Sequence, residues 1–497
     1  MSVSSSKVRI VAVIFSGVLV LAVAGAVVVR WAVVPWAIGA ALKAGGATDV
    51  TFAVERATPW RLQLAGLGFT WDAVKFGAAA ASLERRHWWT PTLGKLRVQE
   101  ARIDVDLDRV AAGAGAAKVG TGTTAPAPDQ IPLEEISIDG RITLHGGEGL
   151  TETLAVDFAA RPVEEGAWQG EAKITAPGLE LALEASYRLA ARELEFRSTA
   201  LRVDLQPWQK WVEHWSPLPG GPWELGGTLT GEASGEYRAE KLTASGEFHL
   251  RDARVHQAGL NLTAEGVEAD IDVADLTQLL ARKASLRAKS VTTGQFVLGD
   301  FATEFSRTES GRFNVASMSA RALGGTLSVE PFVYRLGDPG VEAVIRAEDV
   351  RAEEIMALTE DLPARASGPL SGRLPLRYDP AGFRFGTGWL GLKPGASVEV
   401  QFQSSGLLTA GTSPKNPSYA VLKKVEDGML KLNVTELRLD IRPPDAPATR
   451  TARLHLVGAP VDPEVKAPVT LDLNVNGPLE SLLNLGLKSN VSLGTKP

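Results

Sequence analysis

The stretch Leu179-Glu-Leu-Ala-Leu-Glu-Ala-Ser-Tyr-Arg-Leu189 alternates between apolar and polar side chains. Leu179, Leu181, Leu183, Ala185, Tyr187 and Leu189 share one parity, and Glu180, Glu184, Ser186 and Arg188 share the other with Ala182. A period of two puts these sets on opposite faces of a strand. The pattern returns in Ile103, Val105 and Leu107 against Asp104, Asp106 and Asp108, and in Val267, Ala269, Ile271 and Val273 against Glu268, Asp270 and Asp272. Further on, Leu430, Leu432 and Val434 give way to Leu437, Leu439 and Ile441 in the opposite parity, which predicts a turn or bulge at Thr435-Glu436. Val469, Leu471, Leu473 and Val475 form a last strand. One polar and one apolar face per strand is the antiparallel pattern.

Gly and Pro punctuate these runs, as at Pro177-Gly178, Gly226-Gly227, Gly324-Gly325 and Gly368-Pro369. A Gly followed two residues later by Leu recurs at Gly227, Gly325, Gly368 and Gly477. The spacing is irregular, so similar strands accumulate without a strict repeat. Helical windows are few: Pro207 to Trp215, Asp275 to Lys283 and Ala352 to Thr359, each too short to cover a large sheet. Residues 111–128, an Ala/Gly/Thr/Pro tract without periodicity, read as a flexible linker or an inserted loop. The expected division is a tip and membrane anchor at 1–34, an N-terminal β region at 35–110, the linker at 111–128, a central β-sheet region at 129–346 and a C-terminal β region at 347–497.

The chain has 497 residues, with 52 Lys+Arg against 58 Asp+Glu and a net charge of −6. That balance excludes wrapping nucleic acid by phosphate neutralisation. The absence of cysteine excludes disulfides, thiolate metal sites and cysteine nucleophiles. Ile10 to Val29 carries no charge over a length that spans ~30 Å of hydrocarbon as a helix. With Lys7 and Arg9 before it, the segment reads as a single-pass anchor whose N-terminus is cytoplasmic, so the rest of the chain is exported. The competing reading is a cleaved signal peptide, for which Ala22-Val-Ala24 and Ala24-Gly-Ala26 offer cleavage sites.

Chemistry is sparse. The six histidines, His87, His145, His214, His249, His256 and His455, form no pair at helical metal-ligand spacing, and the parity of His249 and His256 puts them on opposite faces if one strand holds both. No metal or cofactor is expected, and no catalytic residue stands out. Gly386-Thr-Gly388-Trp-Leu-Gly391 fits the dinucleotide fingerprint, but Pro394-Gly395 stops the helix that such a site needs, so it reads as a strand turn. Trp208, Trp211 and Trp215 share one helix face, with Trp223 close behind. They are either core or a cap at one end of an apolar groove.

The last third of the chain resembles the YdbH-like domain of the AsmA-like superfamily of bacterial envelope proteins. The residues that carry the resemblance are Ala352 to Leu358, Ala366 to Leu376 with Gly368-Pro-Leu-Ser-Gly372, and Asp379 to Gly388. After them come Pro394-Gly395, Tyr419 to Leu439, Gly458-Ala-Pro460, Pro468 to Leu471 and Gly477 to Leu483, over roughly Ala347 to Leu487. Leu62 to Leu107 looks similar to the first strands of such proteins. The chain is short for the family, and the usual Asn-Pro near Gly458 is Ala459-Pro460 here.

The resemblance implies a mostly β protein: an N-terminal transmembrane helix followed by an elongated, folded-over, groove-forming antiparallel sheet, β-taco-like, with a few short helices. The implied role is an inner-membrane-anchored periplasmic protein that carries phospholipid between the inner and outer membranes. A stack of such strands reaches only ~120 to 140 Å, short for that span, so an outer-membrane or periplasmic protein partner at the C-terminal end is expected. Some ~25 to 30 strands at ~4.8 Å suit that architecture. Groove candidates are Leu179, Leu181, Leu183, Tyr187, Leu189, Val267, Ile271, Val273, Leu430, Leu432, Val434, Leu471 and Leu473. Two alternatives stay open: an assembly factor for outer-membrane proteins with a closed β core and no lipid cargo, and an exported hydrolase using two carboxylates.

Overall fold

A computed structural model describes residues 38–475 with breaks, the longest at 86–92, 110–132, 216–221, 358–363, 403–408 and 443–451. The anchor segment from Ile10 to Val29 and the linker at 111–128 lie outside the described residues. Among the described residues no helix is long and apolar enough to cross a membrane. The chain divides into two compact units.

The first unit holds β1 (Thr48–Thr58), β2 (Arg61–Trp71), β3 (Val74–Glu84), β4 (Leu93–Asp106), β5 (Leu133–His145), β6 (Thr151–Glu164), β7 (Ala167–Ala176), β8 (Leu179–Arg188) and β9 (Glu193–Asp204). Each strand pairs with the next in sequence, so the sheet grows hairpin by hairpin. The exception is β4–β5, which run parallel. The expectation of a wholly antiparallel sheet is therefore corrected to a mixed one. A parallel pair needs a crossover longer than a hairpin turn, and the 26 residues between Asp106 and Leu133 supply it. Glycine makes this approach possible: a Cβ on Gly140 would lie 2.3 Å from the Ala101 carbonyl oxygen and 2.6 Å from the Ala101 Cβ.

Strands β10 (Trp223–Arg238) and β11 (Lys241–Gln257) contribute residues to both units. The second unit continues with β12 (Leu262–Asp275), β13 (Leu280–Thr293), β14 (Phe296–Glu309), β15 (Arg312–Ala322), β16 (Gly325–Val329), β17 (Phe332–Arg335), β18 (Val341–Arg351), β19 (Ala364–Ser367), β20 (Pro369–Asp379), β21 (Gly382–Phe385), β22 (Gly388–Gly391), β23 (Val398–Phe402), β24 (Lys431–Ile441), β25 (Ala452–Pro460) and β26 (Val469–Val475). Helices include α1 (Leu205–Trp215), α2 (Ala352–Met356) and α3 (Tyr419–Met429), with a 3-10 turn at Gly147–Gly149. The dinucleotide-like glycines fall on β22 and the turn before it, so the strand-turn reading agrees with the structure.

Two helix readings change. Asp275 to Lys283 is not a helix: β12 ends at Asp275 and β13 begins at Leu280. The Asp275 carboxylate accepts the Thr277 amide at 2.8 Å, the Thr277 hydroxyl at 2.6 Å and the Gln278 amide at 3.3 Å, which closes a turn instead of capping a helix. The unforeseen helix α3 encloses Glu426, 1% exposed, whose carboxylate accepts the Thr409 amide and hydroxyl, both at 2.9 Å.

The parity flips inside strands come from bulges. Register shifts between Val98 and Ala101, Leu250 and Ala253, Gly299 and Ala302, and Ala347 and Val350 each enclose a residue at positive φ: Glu100, Asp252, Asp300 and Asp349. The expected irregularity at Thr435-Glu436 is present between Val434 and Glu436. The bulge at Asp252 also corrects the histidine reading. Strand β11 holds both His249 and His256, and the flip between them returns both to the polar face. Seven residues still separate them by ~23 Å, and His249 bonds Asp270 at 2.7 Å while His256 bonds Thr263 at 2.9 Å.

Candidate functional site

In β5 to β9 the alternating side chains line up strand to strand. One cross-strand row is Ile138, Phe158, Ala172, Leu183 and Ser198, and the next is Gly140, Val156, Ile174, Leu181 and Leu201. Ile142 with Leu154, and Ala176 with Leu179 and Val203, extend the same face. The intervening rows are polar: Ser137, Ala159, Glu171, Glu184 and Arg197 in one, Arg141, Ala155, Thr175, Glu180 and Arg202 in another. Five strands at ~4.8 Å and the eight-residue rise from Ile136 to Leu144 give the apolar face about 19 by 26 Å.

This face is incompletely covered. Leu179, Leu181, Leu183, Ile174, Val156, Phe158 and Leu201 are all half-buried, whereas a face closed by a second sheet buries its central side chains fully.

Aromatic clusters bound it at both ends. At the start of β5, Trp168 (7% exposed), Ala160 and Leu189 cluster with Leu133, Ile136 and Phe158. Beyond the end of β5, the Trp211 ring lies over Gly146: a Cβ there would approach its Cζ3 to 2.9 Å. His214 Nε2 stands 3.0 Å from Asp108 Oδ1 and ties the same helix turn to the end of β4. Trp211 is buried at that end of the face, and Trp208 and Trp223 are half-buried.

The predicted groove residues therefore part company. Leu179, Leu181 and Leu183 share the half-buried face. Tyr187 stands two rows beyond Leu183 at 36% exposure, opposite Trp168 and Leu194. Leu189 is corrected: it lies in the turn after β8, where its amide donates to the Gly166 carbonyl, and it is 6% exposed. Val267 and Val273 are buried on β12, with Ile271 half-buried between them. Leu430 is corrected too, since it caps α3 and precedes the strand. Leu432 and Val434 are 0% exposed in a closed cluster with Val350, Val398, Val400 and Leu456, against which Leu471 packs. Leu473 lies on β26 opposite Leu454. The sequence reading overlooked Val156, Phe158, Ile174 and Leu201, although each sits in an alternating run of its own.

Five described carboxylates, Glu135, Asp270, Glu330, Glu353 and Asp472, are held below the usual range by hydrogen-bond donors. Asp270 is lowered by Arg251 and His249, Asp472 by His455 and Arg453, and Glu353 by its own amide and that of Gly368. Glu330 is held down to about 2 by Arg373 and Arg346. None is raised toward neutrality, as a general acid requires. Among the described residues no three His, Asp or Glu side chains are placed to hold a metal ion.

A family model described as intermembrane phospholipid transport protein YdbH matches residues 74–395. The match covers about two thirds of the chain, including the whole half-buried face, and it ends before Tyr419 to Leu483, where much of the sequence resemblance lay. No curated protein and no solved structure matches the chain significantly. A mostly β chain built of successive strand pairs, with an apolar face left half open and a match of this extent, belongs to the YdbH-like family of intermembrane phospholipid transport proteins, which is not an enzyme family.

Proposed function

We propose that this protein carries phospholipid on the apolar face of its sheet between two membranes of a bacterial envelope, anchored in the inner one by Ile10 to Val29, with the remaining chain in the periplasm. The observation that carries the reading is the half-buried state of Leu179, Leu181, Leu183 and Ile174 on a face whose reverse side is charged. Acyl chains suit such a face, because each buried CH₂ contributes ~0.8 kcal/mol and no hydrogen bonds are required of the protein. Trp211 and the Trp168 cluster then act as end contacts that bound the cargo. The open face counts against the closed-core assembly factor.

The test is native mass spectrometry with lipid extraction on the full chain purified from a bacterial envelope. Several phospholipids per chain are expected. The double substitution Leu181→Asp with Leu183→Asp should remove most of them while the far-ultraviolet circular dichroism stays that of a β protein. A folded wild-type chain free of lipid would overturn the reading and return the assembly factor to consideration.

A further inference from the structure

In the second unit the apolar side chains of β12 to β17 line up in cross-strand rows. One row is Ala269, Leu286, Thr303, Met318 and Val329, and the next is Ile271, Ala284, Phe305, Val315 and Phe332. A third lies nearest the turns that follow β12, β14 and β17, with Val273 opposite Ala281, Ala281 opposite Arg307, and Phe313 opposite Tyr334. Arg307 is the one charged side chain in these rows. It shares the parity of Phe305 on β14, and its guanidinium carbon lies 5.4 Å from the centre of the Phe313 ring. That ring stands 6.3 Å from Phe305 on one side and 6.3 Å from Tyr334 on the other.

A cation in an apolar row ordinarily pairs with a carboxylate, or lays its stem along the surface and carries its head out to water. Arg307 does neither. Among the described residues no carboxylate pairs with it: Glu309 on the same strand pairs with Arg312 at 3.6 Å, Glu304 pairs with Lys283 at 3.7 Å, and the Asp275 carboxylate accepts from its own turn. Its head stays over the Phe313 ring, and its Nε is buried without a hydrogen-bond acceptor among the described residues. The ring face attracts the cation, yet it leaves the planar fork of N–H donors for an oxyanion.

We propose that Arg307 is the headgroup contact of a lipid subsite on this face, holding the phosphodiester of a phospholipid whose acyl chains lie over Phe305, Val315 and Phe332. Two phosphate oxygens match the guanidinium fork, and Tyr334 brings a hydroxyl to the same row. Ile271, Phe305, Phe313, Val315 and Phe332 are all half-buried, so the large side chains around Arg307 are left as open as those of β5 to β9. The proposal rests on the reading of the apolar face as a lipid surface and deepens it. It orients the cargo, with the phosphate near the turns and the chains toward the Ala269 row.

Because the full chain has no cysteine, Val315→Cys provides a single site for a bimane label in the row beside Arg307. Lauroyl lysophosphatidylglycerol should shift the bimane emission saturably, and monolaurin, with the same chain and a glycerol but no phosphate, should bind about tenfold more weakly. Adding Arg307→Leu should weaken the lysophospholipid about tenfold and leave monolaurin unchanged, because leucine keeps the surface apolar and removes only the donors. Arg307→Lys, which keeps the charge without the fork, should fall between. Excess inorganic phosphate should not displace the lysophospholipid. Isothermal titration into the unlabelled chain repeats these comparisons without the label. The subsite is overturned by equal binding of the two amphiphiles, by an equal loss of both in Arg307→Leu, which marks a purely structural arginine, or by displacement with inorganic phosphate, which marks a site for the free ion. Failure of the lipid-surface reading looks different: the purified chain then holds no phospholipid, whatever the titrations give. A chain that holds phospholipid but binds neither amphiphile, or both alike, rejects the Arg307 subsite alone.

Discussion

Strands β5 to β9 and the cluster around β24 are written in the same alternating code and end in opposite states. Leu181 and Leu183 are half-buried on a face with charged residues behind it, whereas Leu432 and Val434 are wholly enclosed. The difference lies in what crosses above the strand. Strand β24 divides its partners: β23 pairs with its first half and β22 with its second, and β19 joins through β23. Leu390, Ile355 of α2 and Leu471 pack against the cluster that encloses Leu432. In β5 to β9 long strands of ten to fourteen residues lie side by side and leave the face half open. Alternation therefore specifies a face, and strand length with partner switching decides whether the protein covers it.

The largest expected contrast is mechanical. Leu432→Ala should cost about 2–5 kcal/mol, because a fully enclosed leucine leaves a cavity. Leu181→Ala should cost about 1 kcal/mol or less, since solvent already reaches that side chain. Urea unfolding of the two variants measures the gap, and equal losses would mean that the β5 to β9 face is packed as tightly as the C-terminal cluster.

Next in size is the parallel junction that begins the half-open face. Gly140→Val places a branched side chain against Ala101, where even a Cβ lies too close, and overpacking of this kind costs about 1–3 kcal/mol. Hydrogen exchange should show the amides of β4 and β5 losing protection ahead of those in β24 and β25. Uniform loss across the chain would instead tie the junction to the C-terminal cluster.

Much of this contrast was hidden from the sequence for physical reasons. The strand at Leu179 and the bulge near Glu436 were legible because side-chain period and parity are local. The opposite fates of Leu181 and Leu432 were not, since cover comes from residues distant in the chain. Asp275 misled because one carboxylate, accepting the amides that follow it, serves equally as a helix N-cap or as the clasp of a turn; Leu276, Leu279 and Leu280 then mimic a helical spacing. Helix α3 was obscured by Gly428 and by a buried Glu426, both contrary to the usual composition of a packed helix. The in-strand acidic residues at positive φ, Glu100, Asp252, Asp300 and Asp349, leave a readable trace, for parity flips directly after each of them.

The smallest effect concerns how the second unit holds a break in its ladder. Glu330 is pinned by two arginines where the bonding between β17 and β18 stops, and its carboxyl is lowered from 4.5 to about 2 by Arg373 first and Arg346 second. A carboxylate with a depressed folded-state value contributes stability that is complete above its unfolded value. That contribution is lost as pH falls through the folded one. The clamp therefore acts fully at neutral pH, weakens from about pH 4.5 downward and is gone near pH 2. Glu330→Gln should lower the melting temperature slightly at pH 7, and the difference from wild type should close as the pH is brought from 4.5 toward 2. The half-open face has no counterpart to this clamp in its apolar rows, so Leu181→Ala should show the same offset from wild type at both pH values. A Glu330→Gln offset that also stayed constant would show that the ion pairs are solvated surface contacts that add nothing to stability.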